Sequence, residues 1–260
     1  MDYDNKLILV EKYDNKVAVI TLNSPPLNLN SVASVNELSE VLRKIEIDDD
    51  INVVIITGAG VKAFDAGSDI SEFKEMRGNF IGKSFKIEND MMNSLEYLSK
   101  PTIVAMEGFC MGGGLELALC CDIRIMSEAT RVSVPEINLG IFPAAGGLHR
   151  LPKVVGQAKA LEMMYLGESI DANECRELGL ANHLAPVGET VKIAMEMAVK
   201  IAQKPTTAIK VIKKGIRKMW LKPSDENYYS NLDIIENIFS GFNGTEGVEA
   251  FLSKRKPNFK

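Results

Sequence analysis

Apolar residues recur with two different periods before residue 157, and each period predicts its own kind of element. Strand-like runs at residues 6–11 and 16–22 flank the turn signal Asp14-Asn15, and this arrangement predicts a β-hairpin. Further strands are predicted at residues 52–57, 102–106, 122–126 and 131–134. Apolar residues at helical spacing predict helices at residues 32–47, 71–76 and 83–99. This alternation of strands and helices predicts an α/β fold.

From residue 157 onward the spacing of apolar residues is almost entirely helical. The predicted helices cover residues 157–166, 171–178, 190–203, 206–219, 224–239 and 245–254. We therefore divide the chain into an α/β core at residues 1–188 and a helical C-terminal region at residues 189–260. This region carries more apolar residues than a thin surface layer needs, which favours an interface between subunits.

The stretch from residue 101 to residue 122 joins a predicted strand, three consecutive glycines and an apolar helix. Gly112, Gly113 and Gly114 allow the backbone to approach a ligand closely, because no Cβ stands in the way. The first N–H groups of a helix lack partners within the helix, and the helix dipole is positive there. The stretch therefore predicts an anion or oxyanion site. Glu116 follows among apolar residues, where a carboxylate is costly unless it is partnered or functional.

A second glycine-rich segment offers a competing interpretation. Gly58, Gly60 and Ala63 match the G-x-G-x-x-A fingerprint of dinucleotide-binding proteins directly after a predicted strand. That fingerprint requires a helix to follow, but residues 64–69 contain another glycine and show no helical period. No second strand ends in an acidic residue about twenty positions further on. The sequence context therefore argues against a nicotinamide cofactor.

Composition and charge restrict the class of protein further. The chain has 260 residues, 46% of them hydrophobic, which is typical of a globular protein. Its net charge of −5 implies no broad basic surface for nucleic acid. The four cysteines lack C-x-x-C spacing. The sequence contains only two histidines, and this small number argues against a histidine-based metal site. The N-terminus resembles neither a signal nor a transit peptide, and no apolar run is long enough to span a membrane. We expect a cytoplasmic protein.

Three segments, in this order, resemble the crotonase family, that is, the enoyl-CoA hydratases and isomerases. They are AFDAGSDI at residues 63–70, FCMGGGLELALCCDIRI at residues 109–125, and PEINLGIFPAAGGLHRL at residues 135–151. The resemblance extends from the first hairpin to the C-terminal FLSKRKPNF. It implies a spiral of β-β-α turns with a C-terminal helical region that forms trimers. Trimers of this family commonly pair into hexamers.

The resemblance also implies roles for individual residues. The backbone N–H groups of Ser68 and Gly113 match the oxyanion hole, and Glu116 and Glu136 match the two catalytic carboxylates. The positions that match the binding segment for the adenine and pantetheine parts of coenzyme A are Ala63, Ala66, Gly67, Ser68, Asp69 and Ile70. Phe251 and Lys254 match C-terminal contacts to CoA, which often come from a neighbouring subunit.

These positions imply an enoyl-CoA hydratase, which adds water across the 2,3 double bond of a 2-enoyl-CoA. Isomerases of the family usually work with one carboxylate, at the position of Glu136, so the presence of Glu116 as well favours hydration. The alternatives are a double-bond isomerase or another crotonase-type reaction, and a binding relative without turnover. Coenzyme A is part of the substrate, so no separate cofactor or metal is expected. Asp65 and Met111 replace residues that are usually smaller or apolar, which would alter the choice of substrate.

Overall fold

The computed structural model describes residues 3, 5–74, 82, 85–219, 241–243, 246, 250 and 253–260. Its strands are β1 (Ile8–Tyr13), β2 (Val17–Leu22), β3 (Val53–Gly58), β4 (Ala63–Asp65), β5 (Thr102–Met106), β6 (Phe109–Met111), β7 (Ile123–Ser127), β8 (Arg131–Ser133), β9 (Ile170–Asp171) and β10 (His183–Ala185). Its α-helices are α1 (Val32–Glu46), α2 (Lys86–Glu96), α3 (Gly113–Cys120), α4 (Gly147–Val155), α5 (Gln157–Leu166), α6 (Ala172–Glu177), α7 (Thr190–Ala202) and α8 (Thr206–Met219). No helix in these ranges is both long and apolar enough to cross a membrane.

A six-stranded sheet with the order β1-β2-β3-β5-β7-β10 forms the centre of the molecule. β1 pairs antiparallel with β2, which confirms the predicted hairpin, and every other pair in this sheet is parallel. Parallel strands that are covered on both faces must be apolar at successive positions. The runs VVIIT in β3 and TIVAM in β5 meet this requirement, and both are buried throughout.

Alternate side chains of this sheet point into two separate core clusters, as the period of a strand requires. Ile56 of β3 points into the larger cluster, which includes residues of α1, α2 and α3. The neighbouring Ile55 points to the other face, where Ala194 and Ala198 of α7 are buried. α7 thus packs on the sheet, although it lies in the C-terminal region 189–260. The division of the chain at residue 188 stays a prediction.

A second, four-stranded sheet contains the strands that lead to the site. β4, β6 and β8 pair in parallel, and β9 pairs antiparallel with β8. Along the chain, β3, β5 and β7 of the large sheet are followed by β4, β6 and β8 of the small one. The helices α2, α3 and α4 come after these pairs in turn. This succession is the predicted spiral of β-β-α turns.

Several predicted elements differ from the observed ones. Pro135 and Glu136, which directly follow the strand predicted at residues 131–134 and for which no helix was predicted, belong to a 3₁₀ helix that covers Pro135–Leu139. The segment predicted as a helix at residues 71–76 is a 3₁₀ helix over Ile70–Lys74, and residues 75 and 76 lie outside the described part. β4, β6, β9 and β10, of two or three residues each, were not predicted, because such short segments show no clear period; β8 is equally short but lies in the alternating run predicted at residues 131–134. The helix predicted at residues 224–239 lies outside the described residues, as does most of that predicted at 245–254.

The four cysteines are free thiols buried in the core. Cys120 ends α3 and Cys121 follows it directly. Burial raises the pKa of the Cys121 thiol to about 12, and burial likewise raises the pKa of Cys175 to about 12. Because the thiolate is the reactive form, these side chains are unreactive in the folded protein.

Candidate active site

Glycines allow the loop after β4 to approach the beginning of α3. A Cβ on Gly114 would lie 2.2 Å from the carbonyl oxygen of Asp65, a distance at which no carbon atom fits. Gly112 precedes α3 with φ +52° and ψ −122°, a conformation that residues with a side chain rarely adopt. Its N–H donates to the carbonyl oxygen of Ser133 in β8 at 3.0 Å. The beginning of α3 is thus held between β4 and β8.

The two predicted oxyanion donors, Ser68 and Gly113, lie next to each other. A Cβ on Gly113 would be 3.2 Å from Ser68 Oγ, and a Cβ on Gly67 would be 3.6 Å from the Gly113 nitrogen. Asn30 holds the loop on both sides of Ser68: its N–H donates to the Gly67 carbonyl, and its carbonyl accepts from the Asp69 N–H, both at 3.0 Å. Within the described ranges, neither the Ser68 nor the Gly113 N–H donates to a backbone carbonyl. Both donors therefore stay free for a ligand.

Glu116 lies in the first turn of α3 and is only 5% exposed. Its Oε1 accepts a hydrogen bond of 2.7 Å from the N–H of Gly147, the first residue of α4. Burial raises the pKa of Glu116 to about 8; the Gly147 N–H opposes this shift, and the carboxyl groups of Glu88 and Glu136 add to it. A carboxyl group that changes its charge near neutral pH is suited to acid–base catalysis.

Glu136 approaches the same glycines from the 3₁₀ helix. Its Oε1 is 3.2 Å from the position that a Cβ on Gly112 would occupy. Its Oε2 is buried and has no hydrogen-bond partner among the residues described. Burial raises the pKa of this carboxyl group. A buried carboxyl oxygen normally has a hydrogen-bond partner, and a ligand bound at this site can supply the one that Glu136 Oε2 lacks.

A third acidic side chain at the site, Glu88, was not predicted from the sequence. It lies in the first turn of α2, and its Oε1 accepts a long hydrogen bond of 3.4 Å from Ser68 Oγ. Burial raises the pKa of Glu88 to about 7; the Ser68 hydroxyl opposes this shift and the charge of Glu136 adds to it. The sequence of α2 gives one indication that Glu88 points inward, because helical spacing places it on the same face as the buried Met91 and Met92.

Asp65, noted in the sequence as a departure from the family pattern, is fully buried in β4. Its Oδ1 accepts a hydrogen bond of 2.8 Å from the N–H of Gly67, and its Oδ2 has no partner among the described residues. Burial raises the pKa of Asp65 to about 8, the Gly67 N–H and the Asn30 side chain oppose this shift, and Glu88 adds to it. Asp65 therefore supports the loop that carries Ser68.

Asp65→Asn is expected to make the free energy of unfolding less dependent on pH. The pKa of Asp65 is about 8 when folded, against an ordinary value of 3.8, so between these values the folded protein holds one proton more than the unfolded chain. This difference lowers the free energy of unfolding by about 1.4 kcal/mol for each pH unit of increase, and asparagine removes it. Urea unfolding at about pH 5 and about pH 7 measures the slope. Asp14→Asn, in an exposed turn, is the control, and equal slopes for both variants would contradict the expectation.

The predicted CoA-binding segment begins in β4 and continues to the 3₁₀ helix at Ile70. Ala63 is buried, whereas the side chain of Ile70 is 53% exposed. The N–H of Ala66 donates to the backbone of the loop before α1, and the carboxylate of Asp69 accepts from the N–H and hydroxyl of Ser71. The segment thus has a fixed backbone and an apolar side chain that faces solvent.

Of the two predicted C-terminal contacts, Lys254 lies within the described residues and Phe251 does not. Lys254 is exposed in a turn near the C-terminus, and no described contact joins it to the segment after β4. Residues 254–256 are all basic, and Arg255 pairs with Glu246 at 2.6 Å, so one of these three charges is already neutralised within the chain.

A cavity of about 400 Å³ lies against α8. Its lining includes Leu119, Ile209 and Ile212, and none of the predicted site residues belongs to it. Ile212 is 61% exposed and Ile216 of the same helix is 57% exposed. α8 therefore presents apolar surface that is distinct from the cluster of carboxyl groups.

Comparison with known sequences places these features in a family. A family model described as Enoyl-CoA hydratase/isomerase matches residues 12–260. The short-chain-enoyl-CoA hydratase of Clostridium acetobutylicum is 38% identical over 251 residues, which cover 96% of this chain and 95% of that protein. The crotonyl-CoA hydratase of Syntrophomonas wolfei is 32% identical over 260 residues, which cover 100% and 99% of the two chains.

Solved structures agree with the sequences. The enoyl-CoA hydratase of Bacillus anthracis superposes with a TM-score of 0.93 at 34% identity, over 98% of this chain and 99% of that one. Pseudomonas aeruginosa DspI superposes with a TM-score of 0.94 at 32% identity, over 99% and 98% of the two chains. The spiral of β-β-α turns, the glycines that open α3 and the matches over nearly the whole chain lead to one conclusion: the chain belongs to the enoyl-CoA hydratase/isomerase family.

Proposed function

We propose that this protein is an enoyl-CoA hydratase that adds water reversibly across the 2,3 double bond of a 2-enoyl-CoA to give a 3-hydroxyacyl-CoA. The observation that carries the proposal is the pair of carboxyl groups, Glu116 and Glu136, at the same turn of backbone that presents the Gly113 N–H. The names of the matched relatives, a short-chain-enoyl-CoA hydratase and a crotonyl-CoA hydratase among them, support the same reaction.

The backbone donors act on the thioester oxygen. When the oxygen of water attacks C3, electrons move through the double bond and negative charge develops on the thioester oxygen as an enolate. The N–H groups of Ser68 and Gly113 are fixed before the reaction, so they stabilise this charge more than the neutral thioester. Gly113 is the first residue of α3, so the positive end of the helix dipole adds to the effect.

The two glutamates transfer the protons. One ionised carboxylate takes a proton from the attacking water, and one neutral carboxyl group gives a proton to C2 as the enolate collapses. The reaction therefore needs one proton shared between Glu116 and Glu136 at the start. Burial raises the pKa of both groups, and Glu136 raises that of Glu116 further, which favours such a singly protonated pair.

A spectroscopic assay tests the proposed function. Hydration removes the conjugation between the double bond and the thioester, so the absorbance of a 2-enoyl-CoA should fall when the protein is added. A product with a shifted double bond would instead support the isomerase, the second candidate reaction. Binding of acyl-CoA of several chain lengths without any turnover would support the non-catalytic alternative.

No cofactor is part of the proposed reaction. The conjugated thioester supplies the electrophile, and carboxyl and amide groups of the chain supply the proton transfers and the charge stabilisation. The proposal places the protein in the cytoplasm, since four buried free thiols suit a reducing compartment. The lack of a nucleic-acid partner stays a prediction from the net charge of −5.

The proposed assembly is a homotrimer or a hexamer made of two trimers. Ile212 and Ile216 of α8 are exposed, and apolar surface of this kind suits an interface between subunits. We further propose that the basic C-terminal segment with Lys254 contacts the phosphates of CoA bound to a neighbouring subunit.

Truncation after Glu249 is expected to raise KM for an enoyl-CoA at least about tenfold. Loss of one charge-assisted contact between a basic side chain and a CoA phosphate costs about 1.4 kcal/mol, which corresponds to a tenfold change. KM for the matching enoyl-pantetheine, which lacks the nucleotide, should change little. Steady-state kinetics with both substrates measure the difference, and sedimentation of the full chain measures the assembly. A fully active monomer, or equal KM changes for both substrates, would contradict the proposal.

A further inference from the structure

Glu88 borders both oxyanion donors, although neither proton transfer needs it. A Cβ on Gly113 would lie 3.2 Å from Glu88 Oε1 and 3.2 Å from Ser68 Oγ. The direct distance between Ser68 Oγ and Glu88 Oε1 is 3.4 Å. The carboxyl group is thus beside the place where the thioester oxygen becomes negative in the proposed reaction.

The described ionisable groups around Glu88 are acidic. Among the described residues, the titratable groups whose charges interact with that of Glu88, directly or through one another, are Asp65 of β4, Glu116 of α3 and Glu136 of the 3₁₀ helix. Ser31, Val32 and Val35, from α1 and the turn before it, line a small cavity together with Glu88. A further carboxylate reaches the beginning of α1, where Glu72 of the 3₁₀ helix Ile70–Lys74 accepts from the Val32 N–H at 3.0 Å. An ionised Glu88 would therefore add a like charge at the point where the enolate forms.

We propose that Glu88 is a positioning residue for the oxyanion hole: its neutral carboxyl group holds the side chain of Ser68, and its ionised form opposes the enolate. The inference rests on the proposed hydration and goes beyond it, because it assigns a role to a residue outside the pair of proton-transfer groups. It also predicts that the charge of one side chain on α2 limits the pH range of the reaction.

The sign of this pH effect follows from the environment of Glu88. Burial raises the pKa of Glu88 to about 7, so the group is mostly neutral below this pH and mostly ionised above it. Two like charges several ångströms apart repel each other by more than 1 kcal/mol at an effective dielectric constant of about 20. Binding of an enolate should therefore weaken about tenfold when Glu88 ionises.

The test measures enolate binding separately from proton transfer. The probe is acetoacetyl-CoA, a 3-ketoacyl-CoA. Its keto form has no 2,3 double bond to hydrate, and its enolate form absorbs in the near ultraviolet. Its Kd is measured from about pH 6 to about pH 8.5, on either side of the pKa of Glu88, for the parent protein, Glu88→Gln and Asp90→Asn. Asp90 is the matched control, because it lies two residues further along α2 and is exposed. Dividing each Kd by that of the parent cancels the titration of the probe.

The Kd of Glu88→Gln divided by that of the parent should be near one at the acidic end of the pH range. At the alkaline end this ratio should be about tenfold lower, because the variant then binds the probe more tightly than the parent. Asp90→Asn should give a constant ratio. Glu88→Met is also uncharged and of similar length, but its thioether is only a weak acceptor for the Ser68 hydroxyl. It should therefore bind the probe more weakly than Glu88→Gln while showing the same change of the ratio with pH, and this change is the readout if the glutamine variant does not fold. A pH-independent ratio for the folded Glu88 variants would overturn the proposal. If the parent itself neither hydrates an enoyl-CoA nor binds the probe, the proposed function fails instead.

Discussion

Glu116→Gln and Glu136→Gln are each expected to lower the rate of hydration by about 100- to 10,000-fold while the protein stays folded. Glutamine keeps the shape of the side chain but can neither take up nor release a proton. The amide oxygen at position 116 can still accept from the Gly147 N–H, which now meets the carboxyl Oε1 at 2.7 Å. Loss of enoyl-CoA absorbance gives kcat, and thermal unfolding checks the fold.

Glu128→Gln is the matched control for these two variants. Glu128 is exposed on the turn after β7 and loses one negative charge in the same way, so its turnover should equal that of the parent. Turnover close to that of the parent in either site variant would remove that residue from the mechanism. The double variant should cost little more than the worse single one, because residues that act as a unit are not additive.

Gly114→Ala is expected to lower both the free energy of unfolding and kcat. This is the second-largest effect that we expect, after that of the two glutamate variants. Its Cβ would lie 2.2 Å from the carbonyl oxygen and 2.8 Å from the Cβ of Asp65, so β4 and α3 would have to move apart. Such overpacking costs about 3 kcal/mol where the obstacle is backbone. The same movement separates the N–H groups of Ser68 and Gly113, and loss of one oxyanion donor lowers kcat by about 100- to 1,000-fold.

Gly215→Ala provides the control for an added methyl group in a helix. Gly215 lies within α8, and no atom is found within 4 Å of the position of its Cβ. Alanine there should raise the free energy of unfolding by about 0.5–1 kcal/mol, because glycine weakens a helix interior. Urea unfolding and turnover of both variants measure the contrast. A Gly114→Ala protein with the stability and kcat of the parent would contradict the close contact of β4 with α3.

The long helices were predictable because their sequence contains both the apolar period and the end signals. α5 begins and ends at the predicted residues, since Gly156 precedes it and Gly167 follows it with φ +63°. Four of the five strands of two or three residues were not predicted; the exception is β8, which lies in the alternating run at residues 131–134. β6 has three residues, and it is a strand only because β4 and β8 pair with it on either side. Such pairs depend on residues that lie far apart in the chain.

The candidate site was predictable where one segment contains the chemistry and not where the fold brings segments together. Glu116 and Gly113 belong to one glycine-rich segment, so the resemblance to the crotonase family identified both. Glu88 reaches the same place from α2, 25 positions before Gly113, and no local motif marks it. Its position on the apolar face of α2, beside Met91 and Met92, was the one local signal.

The buried thiols at the end of α3 make this helix observable in solution. Cys120 and Cys121 are inaccessible when folded, so a thiol reagent can modify them only after the surrounding core opens. The rate of labelling therefore reports how often this part of the core opens. Since the same helix begins with Gly113 and carries Glu116, a ligand that binds at its first turn and steadies it would slow the labelling of its last turn. The chain thus contains its own probe of ligand binding, seven and eight residues from Gly113, the proposed oxyanion donor.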